Sequence, residues 1–138
     1  MSAEFIDTNL LLYAYGEPED GRHERAVALV TELVEDQRAV ISVQVMQEFY
    51  VAAVSKVAIR LTPDQAALRL EAMSRWFVYS PIASDVVDAA KLAARHQLSF
   101  WDAMIVLAAS RMKCGTLWTE DLNAGQVVEG VTIRSPFV

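Results

Sequence analysis

Three carboxylates each stand alone in a strongly apolar stretch. Asp7 is the only charged residue in 5–16, Glu48 the only one in 42–55, and Asp102 the only one in 97–110. No lysine, arginine or histidine lies in any of these windows. A carboxylate taken out of water is costly unless it is paired or holds a metal. The pattern therefore points to acids gathered around a cation. A fourth acid follows in Trp118-Thr119-Glu120-Asp121, where either Asp121 or Glu120 is the inward one. Thr8 and Thr119 can add hydroxyls, and Asn9 and Asn123 amides. Such oxygen donors suit Mg²⁺ or Mn²⁺ rather than zinc or copper. A cation of that kind activates water and offsets charge on a phosphoryl group in transfer. Two carboxylates about 4 Å apart repel by roughly 4 kcal/mol at a surface-like effective dielectric. Gathered acids thus need a metal, raised pKa values or mutual distance.

The elements that must position these residues follow from periodicity and capping. A strand over 3–6 ends at Asp7, and Asp7-Thr8-Asn9 supplies helix caps before Leu10. Residues 16–21 read as a loop, and 22–36 have helical apolar spacing. A β-branched strand at 39–43 precedes a helix over 45–57 that carries Glu48. Thr62, Pro63 and Gln65 open a helix running to about Arg75. A strand at 77–80 leads to a helix capped by Ser84 and reaching His96. Ser99 opens the helix that carries Asp102 and extends to about Lys113. Strands at 115–118 and 131–134 complete the chain. This alternation predicts an α/β fold: a three-layer α/β/α sandwich with a four- to five-stranded, mainly parallel sheet, in one domain over residues 1–138. Sites in such sheets form beyond the carboxyl ends of the strands, where all four acids fall.

Bulk properties narrow the function classes. At 54% hydrophobic and 22% charged the chain reads as globular rather than disordered. A net charge of −6 argues against broad electrostatic binding to nucleic acid, so a phosphate polymer would need divalent cations to approach. No apolar run reaches membrane-span length, and the N-terminus lacks a secretion signal, which points to the cytoplasm. One cysteine and two histidines make a zinc cluster a poor expectation.

Each residue also has a purely structural role open to it. Asp7 is a good helix cap. Ser99-x-x-Asp102 matches a capping box, in which the acid bonds back to the cap. Asp121 and Glu120 sit in an ordinary acidic loop. Glu48 is hardest to explain by structure alone, because its helix-face neighbours Val45 and Ala52 are apolar. Trp101 and Trp118 are expected to pack rather than to stack on bases, and Cys114 to be a small buried hydrophobe.

Taken together, Phe5-Ile6-Asp7-Thr8-Asn9, Ser42-Val43-Gln44-Val45-Met46-Gln47-Glu48-Phe49, Phe100-Trp101-Asp102-Ala103 and Leu117-Trp118-Thr119-Glu120-Asp121 resemble the PIN-domain ribonucleases. Order and spacing are most similar to the VapC-type toxins of bacterial toxin–antitoxin pairs. The resemblance covers nearly the whole chain. It implies an endoribonuclease dependent on Mg²⁺, with Mn²⁺ as substitute, and an α/β/α fold. It places metal-binding acids at Asp7, Glu48, Asp102 and Asp121, supporting hydroxyls at Thr8 and Thr119, and an orienting amide at Asn9. It also implies an RNA substrate, a cognate antitoxin and a homodimer. Two rivals stand beside this reading. One is a catalytically degenerate PIN-like module that acts by binding a protein partner. The other is a phosphatase using Asp7 as a covalent nucleophile, which the asparagine at position 9 disfavours.

Overall fold

A computed structural model describes residues 2–16, 21–56 and 59–138. The strands are β1 (Glu4–Ile6), β2 (Ala39–Ser42), β3 (Phe77–Tyr79), β4 (Thr116–Trp118), β5 (Val127–Val128) and β6 (Val131–Arg134). The helices are α1 (Thr8–Tyr15), α2 (Arg22–Glu35), α3 (Val43–Ser55), α4 (Pro63–Met73), α5 (Ala83–His96) and α6 (Phe100–Arg111). They form one sheet of order β3-β2-β1-β4-β6-β5, parallel except where β5 runs against β6. Its helices make it the expected three-layer α/β/α sandwich.

The central strands are apolar on both faces, as burial between helix layers demands. Phe5, Ile6, Ile41, Leu117 and Ile133 are fully buried. Helix α6 is buried along most of its length, from Ala103 to Ala109, which explains its unbroken apolar sequence. No helix among the described residues is long and apolar enough to cross a membrane.

Strand order creates the place for a site. Chain progress from β1 goes first to β2 on one side, and later β4 joins on the other. The crevice at such a switch lies beyond the carboxyl ends of the strands. Ile6 pairs with Trp118 in register, so Asp7 and Thr119 leave the sheet side by side. The Asp7 N–H donates to the Trp118 carbonyl at 3.0 Å.

Three local expectations differ. The sheet has six strands, because a two-residue β5 folds back on β6. Glu129 and Gly130 both have positive φ (51° and 79°), the requirement of a two-residue type I′ hairpin. A strand that short leaves no periodicity to read. Helix α3 begins at Val43, two residues early, because Ser42 ends β2 and also caps the helix, accepting from the Val45 N–H. Ser84 does not cap α5. Asp85 instead accepts from the Ile82 N–H at 3.0 Å, and its carboxylate is pinned by Tyr79 and by Arg111. The expected loop at 16–21 and the end of the 45–57 helix fall partly outside the described residues.

Candidate functional site

Asp7 is the hub. It is 5% exposed and has extended backbone as the N-cap of α1. Its Oδ1 accepts from the Thr8 N–H at 2.7 Å. Its Oδ2 accepts from the Thr119 hydroxyl at 2.8 Å. The capping role and the site role therefore coexist, one oxygen for each. Burial pushes the carboxyl up from 3.8 to about 7, against the pull of the Thr119 and Thr8 bonds. The charges of Asp121 and Glu48 raise it further.

The remaining residues fasten to this hub. The Thr8 hydroxyl donates to Glu48 Oε1 at 2.8 Å, so adjacent groups of one residue bridge two acids. Glu48 Oε2 accepts from Gln44 Nε2 at 3.2 Å. The fully buried Thr119 hydroxyl accepts in turn from Asn9 Nδ2 at 3.4 Å and from the Asp121 N–H at 3.1 Å. Desolvation raises the Asp121 carboxyl although the residue is exposed. Its bond to Asn9 lowers it, the charges of Asp102 and Glu120 raise it, and Lys56 lowers it.

The neighbouring acids separate cleanly. Glu120 is occupied by Tyr13, whose hydroxyl donates to it, and by Arg22 at 3.3 Å. Asp121 is the acid that faces Asn9 and the Asp7 carboxylate. Only half of the capping box at α6 forms: the Ser99 hydroxyl accepts from the Asp102 N–H at 3.1 Å. Among the described residues no return bond from the Asp102 carboxylate is present, which leaves that group for other partners.

All seven expected residues thus lie at one edge of the sheet, with Asp7, Thr8, Asn9, Glu48, Thr119 and Asp121 in a continuous hydrogen-bonded network. Asp102 reaches it through its charge. Among the described residues, no three acidic, histidine or cysteine side chains are drawn tightly enough to hold a metal ion unaided. The donor set nonetheless fits a hard divalent cation. It is all oxygen, and no ion pair among the described residues neutralises Asp7, Glu48, Asp102 or Asp121. Asn9 Oδ1 is a buried acceptor without a partner. Magnesium keeps several waters and takes only one or two carboxylates, so loosely gathered acids suffice.

Two features escaped the sequence reading. Gln44 braces Glu48, and its i,i+4 spacing on α3 was the available signal. Trp101 does not pack as expected but is 61% exposed, whereas Trp118 does pack and donates its indole N–H to Glu4 at 2.7 Å. Position 101 follows a cap on a helix that is otherwise core, so the helix pattern around it reads as buried. Cys114 is buried as expected, with its thiol pushed up to about 12 by burial.

Several solved structures share the fold. The Mycobacterium tuberculosis toxin VapC20, described as cleaving the sarcin–ricin loop, superposes with a TM-score of 0.64 at 20% identity, covering 86% of this chain and 92% of that one. A Klebsiella pneumoniae toxin–antitoxin complex gives 0.67 at 22% identity, over 98% of each chain. A DNA-bound VapBC from Salmonella typhimurium gives 0.67 at 18% identity, over 99% of each. No curated sequence matches the chain significantly. The family profile of the PIN domain matches residues 5–129, and with the sheet order and the acidic edge described above, the chain belongs to the PIN-domain family.

Proposed function

We propose that this protein is a divalent-metal-dependent endoribonuclease of the VapC type, the toxin of a toxin–antitoxin pair, with RNA as substrate. One observation carries the reading. A buried aspartate with no cationic partner among the described residues sits at the switch point of a parallel sheet, within the field of further carboxylates. A divalent cation is the partner that the oxygen donors around this carboxylate suit. A divalent cation bound there supplies water activation and neutralises charge on the phosphodiester.

The chain's own residues perform the preparation. Thr119 and the Thr8 N–H hold both oxygens of Asp7 in place. The Thr8 hydroxyl and Gln44 aim Glu48. Asn9 and the Asp121 N–H both donate to the Thr119 hydroxyl, which joins the start of α1 to the segment after β4. Asp102, at the start of α6, closes the far side with its charge. No histidine or lysine in this network can act on a ribose hydroxyl. Hydrolysis leaving 5′-phosphate and 3′-hydroxyl ends is therefore the expected outcome. The toxins and complexes that share the fold support the antitoxin partner and RNA as substrate, and a homodimer completes the reading.

The test is digestion of RNA with Mg²⁺, with EDTA, and with Asp7→Asn, followed by analysis of the ends. Cleavage only by the parent chain with metal is expected; equal cleavage in all three arms would remove the proposal. The absence of a ready three-ligand cage among the described residues favours one rival, a PIN-like binding module without activity. Firm association with a protein partner, with no metal-dependent cleavage of varied RNAs, would select it.

A further inference from the structure

Trp101 stands at the second position of α6, one residue before Asp102, and is largely in water. An exposed indole is unusual on a helix buried from Ala103 to Ala109, since each aromatic ring carries a large apolar area. The indole is also held in place. Phe100 meets it edge-on, with ring centroids 5.1 Å apart at 77°. The Trp101 carbonyl accepts from Gln44 Nε2 at 3.2 Å, and the same nitrogen donates to Glu48 Oε2 at 3.2 Å. One amide therefore ties the backbone at Trp101 to an acid of the site.

Trp101 lines a cleft of about 470 Å³ together with Gln44, Gln47, Glu48, Val51 and Lys56. Glu48 makes the cleft continuous with the acidic network, and the charge of Lys56 reaches Asp121. A flat ring, an exposed valine, the exposed Gln47 amide and one ammonium are the parts of a single-stranded nucleic-acid subsite. Bases stack on aromatic rings whatever their identity, amides meet base edges, and cations track the phosphates. An apolar protein segment would use the ring, the valine and the neighbouring Ala52 but would leave the ammonium and the Gln47 amide without a purpose.

We propose that Trp101 is a substrate-binding residue on which an unpaired base flanking the scissile phosphate stacks, with Lys56 meeting a neighbouring phosphate. This rests on the nuclease reading above and deepens it. The experiment measures cleavage of a short single-stranded RNA in Mg²⁺ by the parent, Trp101→Ala and Trp101→Phe. A second series of substrates carries one abasic ribose at each position in turn. Loss of one stacked base is worth roughly five- to 150-fold. KM should rise by that factor in Trp101→Ala with kcat little changed, and Trp101→Phe should recover most of it. At one position beside the cut, the abasic substrate should cost the parent a similar factor and cost Trp101→Ala nothing more.

An abasic penalty that persists in full in Trp101→Ala at every position would overturn the inference. So would an unchanged KM, which assigns the cleft to a protein partner. In both cases the parent still cleaves and the nuclease reading stands. A parent chain that cleaves no RNA would overturn both.

Discussion

Replacing Asp7 with asparagine tests the central electrostatic claim without reference to activity. In the absence of metal, the folded chain holds this carboxyl near 7, whereas the unfolded chain releases its proton near 3.8. The folded state thus binds more protons between these values, and stability falls as pH rises through that window. Asp7 costs nothing below about pH 4, and its full cost is present above pH 7. At ~1.4 kcal/mol per pH unit, the interval from 3.8 to about 7 corresponds to about 4 kcal/mol. Asp7→Asn cannot ionise and escapes this cost. It also changes the bonds to Thr8 and Thr119, but that offset does not vary with pH. The stability of Asp7→Asn relative to the parent should therefore increase by about 4 kcal/mol between pH 4 and pH 8. At ~4 °C per kcal/mol, this is a relative gain of roughly 15 °C in melting temperature. The assay is thermal or urea unfolding of both proteins in EDTA across that range. At pH 8, millimolar Mg²⁺ should then raise the parent's melting temperature, by up to about 2.7 kcal/mol of stability at 100 Kd. It should not raise that of Asp7→Asn, whereas Glu35→Gln on α2 should keep the response. A difference between parent and Asp7→Asn that stays constant from pH 4 to pH 8 would refute the reasoning, because Asp7 would then pay no burial penalty.

Three further outcomes follow from the same structure. Thr119→Val removes the hydroxyl that donates to Asp7 and accepts from the Asp121 N–H; the Asp7 carboxyl should rise above its present value, visible as a more alkaline titration of its carboxyl carbon by NMR in EDTA. Tyr79→Phe deletes the donor to the buried Asp85 carboxylate, which Tyr79, the Ile82 N–H and Arg111 together hold below its ordinary value. It should cost about 2 kcal/mol at neutral pH in urea unfolding. Because a depressed carboxyl gives stability above the unfolded value and loses it as pH falls, that cost should shrink in acid. Gly16→Ala would place a Cβ 2.7 Å from the Leu12 carbonyl and 2.9 Å from Ile59 Cδ1. Overpacking of that kind should destabilise by roughly 1–3 kcal/mol in thermal unfolding.

What the sequence determined by itself is local. Caps at Asp7, Thr62 and Ser99 and the apolar periodicities act over three or four residues, so the order and type of the elements could be read directly. The isolation of Asp7, Glu48 and Asp102 in apolar runs was equally visible, but of the three only Asp7 is buried, while Glu48 and Asp102 are half-buried at helix starts whose exposure sequence neighbours do not fix. What only the tertiary structure decided spans the chain. The sheet order puts β4 beside β1, and this alone lets Thr119 donate to Asp7 across 112 positions. It also turns Glu120 to Arg22 and Tyr13 while Asp121 meets Asn9, a choice between adjacent acids that no local rule makes. Asp85 displaced Ser84 at the start of α5 because Tyr79 on β3 and Arg111, 26 residues on, hold its carboxylate. Short-range preferences fix what each segment becomes; partners far apart in the chain are fixed by how strands are ordered in the sheet.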